Sequence, residues 1–292
     1  MIMLTIVVPC YNEESNIDKV FPALVSFVKE HNFTLCIVDD GSKDHTHQLL
    51  QRYADGEQVR IIHHKVNRGY GGALKSGIKA AATDYVITID ADGQHAAEDV
   101  LRLYQVIKAS DADMIVGRRG KELSKVRSIG KFFIRRITKI LIANVAIHDI
   151  NSGMKIYKTS IVKKYLNLCP NGMAFSDVIT LMLINDRFLV QEEPISIRQR
   201  LGGKSTIGLK TVFQTIYEII NIVMYFNPIR IFLPLAIVSV AFGMIWSVPI
   251  LLAGRGLSVG GAFLIINGVQ TFLIGLIAEQ NSVILKKLKN ED

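Results

Sequence analysis

The chain has 292 residues, with 34 Lys and Arg against 26 Asp and Glu, a formal net charge of +8 and 49% hydrophobic residues. A mean hydropathy of +0.29 is high for a soluble protein, so part of the chain is expected to meet lipid. The basic balance, pI ≈ 9.3, suits nucleic acid, an anionic membrane surface or a phosphorylated substrate, whereas Cys10, Cys36 and Cys169 have no paired spacing and imply neither a disulfide framework nor a zinc site.

Met1 to Pro9 has no basic leader, and its apolar run is too short for a signal peptide, so it reads as a first strand over Leu4 to Val8 stopped by Pro9. Asn16 to Lys29 carries apolar residues at helical spacing (Ile17, Val20, Phe21, Leu24, Phe27, Val28). Thr34 to Val38 predicts a second strand, His45 to Tyr53 a helix and Val59 to His63 a third strand. The segment from Asn67 enters a helix that runs to about Ala82, and Tyr85 to Ile89 is a further strand. Strands alternating with helices predict an α/β fold with a mostly parallel, doubly wound sheet.

From Gly117 to Ile147 nine basic residues face one acid, Glu122. Wound at 100° per residue, Lys131, Arg135, Arg136 and Lys139 lie opposite Phe133, Ile134, Ile137, Ile140 and Leu141. A basic amphipathic helix of this kind, about 131–147, suits a membrane surface, and 209–229 repeats the pattern. Ile231 to Leu252 is uncharged and long enough to cross a bilayer, and a second uncharged run starts at Gly260 and reaches Ile277. The spans are placed at about 231–252 and 260–283, joined as a hairpin. Arg230 before them and Lys286, Lys287 and Lys289 after them put both termini in the cytosol. The expected organisation is a catalytic domain over 1–208, a juxtamembrane helix over 209–229 and a transmembrane hairpin with a basic cytosolic tail over 230–292.

Asp90-Ala91-Asp92 follows the strand ending at Ile89. At the carboxyl end of a parallel strand these carboxylates face the crevice where open α/β sheets bind ligands. Hard oxygen ligands there suit Mg²⁺ or Mn²⁺ carrying a diphosphate. Gly69-Tyr-Gly71-Gly72-Ala73 is neither a Walker loop nor a dinucleotide fingerprint, since position 74 is Leu; close backbone packing near a nucleotide is its expected role. His63, His64 and His95 have no ligand partner at a convincing spacing, and a turn or cap is the expected role of Asp149.

Four strand-end motifs occur in order: Pro9-Cys-Tyr11-Asn12-Glu13, Val38-Asp39-Asp40-Gly41-Ser42, Asn67-x-Gly69 and Asp90-x-Asp92-x-Gln94. With them the chain resembles the inverting family 2 glycosyltransferases of GT-A fold over roughly Leu4 to Ser205. More narrowly, it is similar to the dolichol-phosphate mannose synthase-like, polyprenyl-phosphate glycosyltransferases. The resemblance implies that Pro9, Tyr11, Glu13 and Asp40 line the base and ribose of a nucleotide sugar and that Asp90 sits beside ribose. It implies that Asp92 and Gln94 hold the divalent cation and that Asp177 falls where an acceptor base is expected. Arg118, Arg127 and Lys131 match positions that hold an acceptor phosphate, although Lys131 stands where relatives more often have Arg and loses the bidentate fork. Arg200 and Ser205 fall in a segment resembling one that closes on the donor diphosphate.

The expected activity is therefore transfer of one hexose from a UDP- or GDP-sugar to a polyprenyl phosphate at the cytosolic face, dependent on Mg²⁺ or Mn²⁺. The lipid bilayer is a partner and nucleic acid is not; oligomeric state, a homo-oligomer included, stays open. A phosphate monoester, with a second pKa near ~6, is already a nucleophile at neutral pH and has less need of a base than a hydroxyl. The alternatives are transfer to a lipid hydroxyl, a polysaccharide acceptor, or a non-catalytic membrane sensor of sugar nucleotides. A processive synthase is disfavoured because the only tryptophan, Trp246, lies in a membrane span rather than in a Gln-x-x-Arg-Trp signature.

Overall fold

The computed structural model describes residues 3–120, 147–197, 217, 220, 223–224, 227–256 and 258–289. They belong to two compact units, an N-terminal α/β unit and a C-terminal helical unit. The expected interfacial helices, about 131–147 and 209–229, fall largely outside the described residues, as do Arg127, Lys131, Arg200 and Ser205.

The first unit runs β1 (Leu4–Cys10), α1 (Glu14–Glu30), β2 (Thr34–Asp39), α2 (Thr46–Gln51), β3 (Val59–His63), α3 (Tyr70–Ala80) and β4 (Tyr85–Thr88). It continues with α4 (Ala97–Ser110), β5 (Met114–Arg119), β6 (Lys155–Lys158), α5 (Thr159–Tyr165), α6 (Phe175–Asn185) and β7 (Val190–Ile195). Seven strands form one sheet in the order β3-β2-β1-β4-β6-β5-β7. β1, β2, β3 and β4 pair in parallel, as do β5 and β7, whereas β6 is antiparallel to both its neighbours. The expected mostly parallel sheet is therefore present, with one reversed strand wedged between β4 and β5.

Near-continuous apolar runs explain the centre of the sheet: Leu4 to Val8 and Leu35 to Val38 are buried throughout, the pattern of strands covered on both faces. α1 covers one face with Ile17, Phe21, Leu24 and Val28, and α4 adds Val100, Leu103 and Ile107 at the same helical spacing. Burying each such side chain contributes roughly 1.5–3 kcal/mol.

β1 runs beyond the expected stop at Pro9 and ends at Cys10. Its pairing with β4 ends at Val7, whose carbonyl accepts from Ile89 N, while Cys10 O accepts from Asp40 N on the β2 side. Backbone groups alternate sides along a strand, so the missing N–H of Pro9 faces the side where β4 has already ended and no ladder bond is lost.

In the second unit, α7 (Ile229–Leu252) and α8 (Val259–Lys289) pack side by side. Ser239 Oγ donates to Leu264 O (2.8 Å), and Ile229 N at the start of α7 donates to Glu279 Oε2 (3.4 Å). Both helices are long and apolar enough to cross a membrane, with mean hydropathies of 2.3 and 1.9, and only 17% of each apolar window is buried. Phe242, Trp246 and Phe263 are among the large apolar side chains left exposed. A soluble core helix would bury such residues, so these outer faces suit lipid.

Candidate active site at the carboxyl edge of the sheet

The chain leaves β1 toward β2 and β3 on one side and later returns to β4 on the other, so β1 and β4 flank a switch point of the sheet. Open α/β sheets bind ligands outside the carboxyl ends of strands at such a point. Three turns meet there, after β1, β2 and β4.

The turns after β1 and β2 are laced together by their side chains. Asn12 N donates to Ser42 Oγ (3.0 Å), and Asn12 Oδ1 accepts from Lys43 N (2.9 Å). Glu13 N donates to Thr46 Oγ1 (2.8 Å), and Glu13 Oε2 accepts from Asn16 Nδ2 (2.6 Å). Tyr11 projects from this clasp, 41% exposed, with an aromatic face open for stacking.

Asp40 is turned inward. Its Oδ1 accepts from Arg68 N (2.9 Å) and from the His64 ring (2.6 Å), and its Oδ2 accepts from Gly69 N (2.8 Å). A carboxylate only accepts, so the His64 proton is on Nδ1, and Nε2 is left to Ser76 Oγ at 2.8 Å. The side chain expected to line the nucleotide base thus also fixes the Asn67-x-Gly69 turn. His64, for which the sequence offers no ligand partner at a convincing spacing, is its buried support.

After β4, Gly93 adopts φ +75°, a left-handed conformation that closes the turn, and Asp92 Oδ1 accepts from Gln94 N (3.1 Å). His95 Nδ1 accepts from Asp90 N (3.2 Å), so His95 braces the turn. Asp90 Oδ1 accepts from Tyr70 Oη (2.9 Å), a residue that sequence reasoning missed. Burial and the Asp90 carboxylate together push the Tyr70 hydroxyl well above its ordinary pKa, keeping it a donor. Gly153 lies against Asp90, since a Cβ there would meet the carboxyl carbon at 2.8 Å. Asp92 and Gln94 offer a carboxylate and an amide oxygen in one braced turn, a donor set that fits a hard divalent cation.

Behind Asp90 lies a second polar group of residues. Arg119 binds Asp149 in bidentate fashion, Nε to Oδ2 at 2.8 Å and Nη2 to Oδ1 at 2.7 Å, so Asp149 anchors β5 rather than capping a turn alone. Its neighbour Arg118, the expected phosphate contact, is exposed at the end of β5. Lys155 is fully buried and donates to Ile150 O (2.5 Å), Ser176 O and Thr180 Oγ1 (2.8 Å). Asp177 stands in the first turn of α6. Burial pushes its carboxyl above the usual range against the pull of Lys155 and Arg119, and burial pushes the Lys155 ammonium down. No local pattern marks Lys155 or the Arg119–Asp149 pair, because the fold alone brings them together.

Residues 5–166 match glycosyl transferase family 2, and residues 227–284 match the GtrB C-terminal hairpin. A dolichol-phosphate mannosyltransferase of Pyrococcus furiosus is 26% identical over 246 residues, covering 82% of this chain and 68% of the relative. An undecaprenyl-phosphate 4-deoxy-4-formamido-L-arabinose transferase of Pseudomonas aeruginosa is 26% identical over 300 residues, covering 95% and 84%. Among solved structures, glucosyl-3-phosphoglycerate synthase from Mycobacterium tuberculosis with Mn²⁺, UDP-glucose and phosphoglyceric acid aligns with a TM-score of 0.59. That likeness covers 76% of this chain and 79% of the other at 16% identity, and is one of fold. With residues 5–166 of 292 inside the family match and a GT-A sheet carrying its acidic turn at the switch point, the chain belongs to glycosyl transferase family 2.

Proposed function

We propose that the protein is a membrane-anchored, inverting glycosyltransferase that moves one hexose from a UDP- or GDP-sugar to a polyprenyl phosphate at the cytosolic face. One combination carries the reading: the acidic turn at the sheet's switch point occurs in the same chain as an apolar hairpin of the GtrB C-terminal type. The relatives named above, whose names each contain a polyprenyl phosphate, support the acceptor class.

In this reading Tyr11 stacks on the base, while Pro9, Glu13 and Asp40 shape the wall of the nucleotide pocket. Asp90, held by Tyr70, sits beside the ribose. A divalent cation held by Asp92 and Gln94 would neutralise the charge that develops on the leaving nucleoside diphosphate. The acceptor phosphate approaches the anomeric carbon from the opposite side, and the sugar is transferred with inversion and no covalent enzyme intermediate. Arg118, Arg127 and Lys131 hold the acceptor phosphate, and Arg200 and Ser205 contact the donor. The domain organisation is a catalytic region over 1–208, a juxtamembrane helix over 209–229 and a hairpin over 230–292 with both termini cytosolic.

One observation favours a second reading, transfer to a lipid hydroxyl. The raised carboxyl pKa of Asp177 is the property of a general base working near neutral pH. Radiolabelled donor sugars supplied with polyprenyl phosphate, or with the corresponding polyprenol, separate the two. Label is expected in organic-extractable lipid only with the phosphate, and Asp92→Ala is expected to abolish transfer with folding intact. Transfer to the alcohol that is lost in Asp177→Asn would establish the second reading instead.

A further inference from the structure

We propose that Asp39, His47 and His63 form a binding site for a Zn²⁺-class transition-metal ion, separate from the Asp92–Gln94 turn. Asp39 ends β2 and His63 ends β3, and the two are direct partners in the parallel register, which puts their side chains on one face of the sheet. His47 reaches the same place from the first turn of α2. Asp39 Oδ2 lies 2.8 Å from His63 Nδ1 and 3.1 Å from His47 Nδ1, and the imidazole rings are 4.1 Å apart.

All three ligand atoms lie within 4.8 Å of one another. Tetrahedral Zn²⁺ with nitrogen and oxygen ligands at about 2.0–2.1 Å separates neighbouring ligand atoms by about 3.3 Å, so small side-chain adjustments would admit the ion. Hydrogen bonding within the protein leaves one of these atoms unexplained. His63 Nδ1 bonds to Asp39 Oδ2, but the buried Nδ1 of His47 makes no hydrogen bond although it faces the same oxygen. A cation between the rings and the carboxylate would give this buried ring nitrogen the partner it lacks.

The surroundings have the features that metal ligands need. Asp39 Oδ1 accepts from Ser42 N (3.1 Å), which fixes the carboxylate from behind as outer partners of metal ligands do. The Asp39 side chain is fully buried, while those of His47 and His63 are 36% and 41% exposed, leaving an open side for a water ligand and for the ion to arrive. Two imidazoles and one carboxylate select zinc or its transition-metal neighbours over Mg²⁺, which prefers an all-oxygen octahedral shell. The bound ion would clip together the ends of β2, β3 and α2. Asp40, next in sequence to Asp39, carries the Asn67-x-Gly69 turn from that same corner.

The test uses the full-length, detergent-solubilised protein carrying Asp92→Ala, which removes the other cation site. After chelation it is titrated with Co²⁺, followed by visible absorption, and then with Zn²⁺. One equivalent of Co²⁺ with the strong visible bands of a tetrahedral site, displaced by Zn²⁺ and accompanied by a rise in Tm, is the expected result. Adding His47→Ala or His63→Ala should weaken binding at least ~10-fold, since even outer partners of metal ligands are worth that much. His63→Gln gives a second probe at this partly exposed position, with the fold checked by circular dichroism. Absence of a bound equivalent in the Asp92→Ala protein, or unchanged affinity in folded histidine variants, overturns the site. Sugar transfer is not the readout, so the result stands apart from the proposed activity.

Discussion

Gly153 and Asp90 lie far apart in sequence, yet a single methyl on Gly153 would collide with Asp90 Oδ2 and sit 2.8 Å from its carboxyl carbon. Asp90 cannot swing away freely, because Tyr70 Oη holds its other oxygen at 2.9 Å. Gly153→Ala is therefore expected to displace the Asp90 carboxylate and lower transfer about 10–100-fold, the scale of loss for misplacing a positioned group by an ångström. Steady-state kinetics beside a thermal melt check this; near wild-type kcat/KM would show that Asp90 is not required in its present position.

Asp40 tests whether the nucleotide half of the site depends on one buried carboxylate. Asp40→Ala deprives Arg68 N, Gly69 N and the His64 ring of their acceptor. Water can reach part of this turn, so the expected loss of stability is about 2 kcal/mol rather than the sum of three unmade bonds. Asp40→Asn, which keeps one acceptor oxygen, should lose less. Urea unfolding of the two variants in detergent decides, and equal stabilities would contradict the role assigned to the carboxylate.

Asp177 predicts a pH dependence with a definite sign. Its carboxyl is raised from 3.8 chiefly by burial, so the folded chain binds this proton more tightly than the unfolded chain does. The stability it contributes is complete below the ordinary carboxylate value and is lost as pH rises through the folded value. The unfolding free energy of wild type relative to Asp177→Asn should therefore fall as pH climbs from 3.8 to about 6 and level off above that. A difference that stays flat or grows across that window would contradict the burial effect.

The hairpin predicts how the chain partitions. Two helices with mean hydropathies of 2.3 and 1.9 that bury only 17% of their apolar windows need a non-aqueous covering. The full chain should stay in the membrane fraction through high-salt and alkaline carbonate washes, which remove surface-bound proteins. Release by carbonate would mean that α7 and α8 pack on another protein instead.

Local patterns determined much of this protein. The runs at Leu4, Thr34 and Val59, the helical spacing of Ile17, Phe21, Leu24 and Val28, and the two uncharged C-terminal stretches all appear where periodicity put them. They are legible because the spacing of apolar residues encodes which face an element buries, and neighbouring residues carry that information. The acidic turn after β4 was legible for the same reason, since Asp90, Asp92 and Gln94 alternate along one short stretch of chain.

Tertiary structure alone decided the rest. That β6 runs antiparallel between β4 and β5 depends on the order of strands, which no single segment contains. Pairings between distant residues follow from that order: His64 reaches Asp40 across 24 positions, Arg119 reaches Asp149 across 30, and Tyr70 reaches Asp90 across 20. His63, with no ligand partner visible in the sequence, meets Asp39 because β2 and β3 align in parallel register. Such contacts form only when whole faces of helices and strands are buried together, so the packing of the sheet, rather than any motif, sets which side chains support the site.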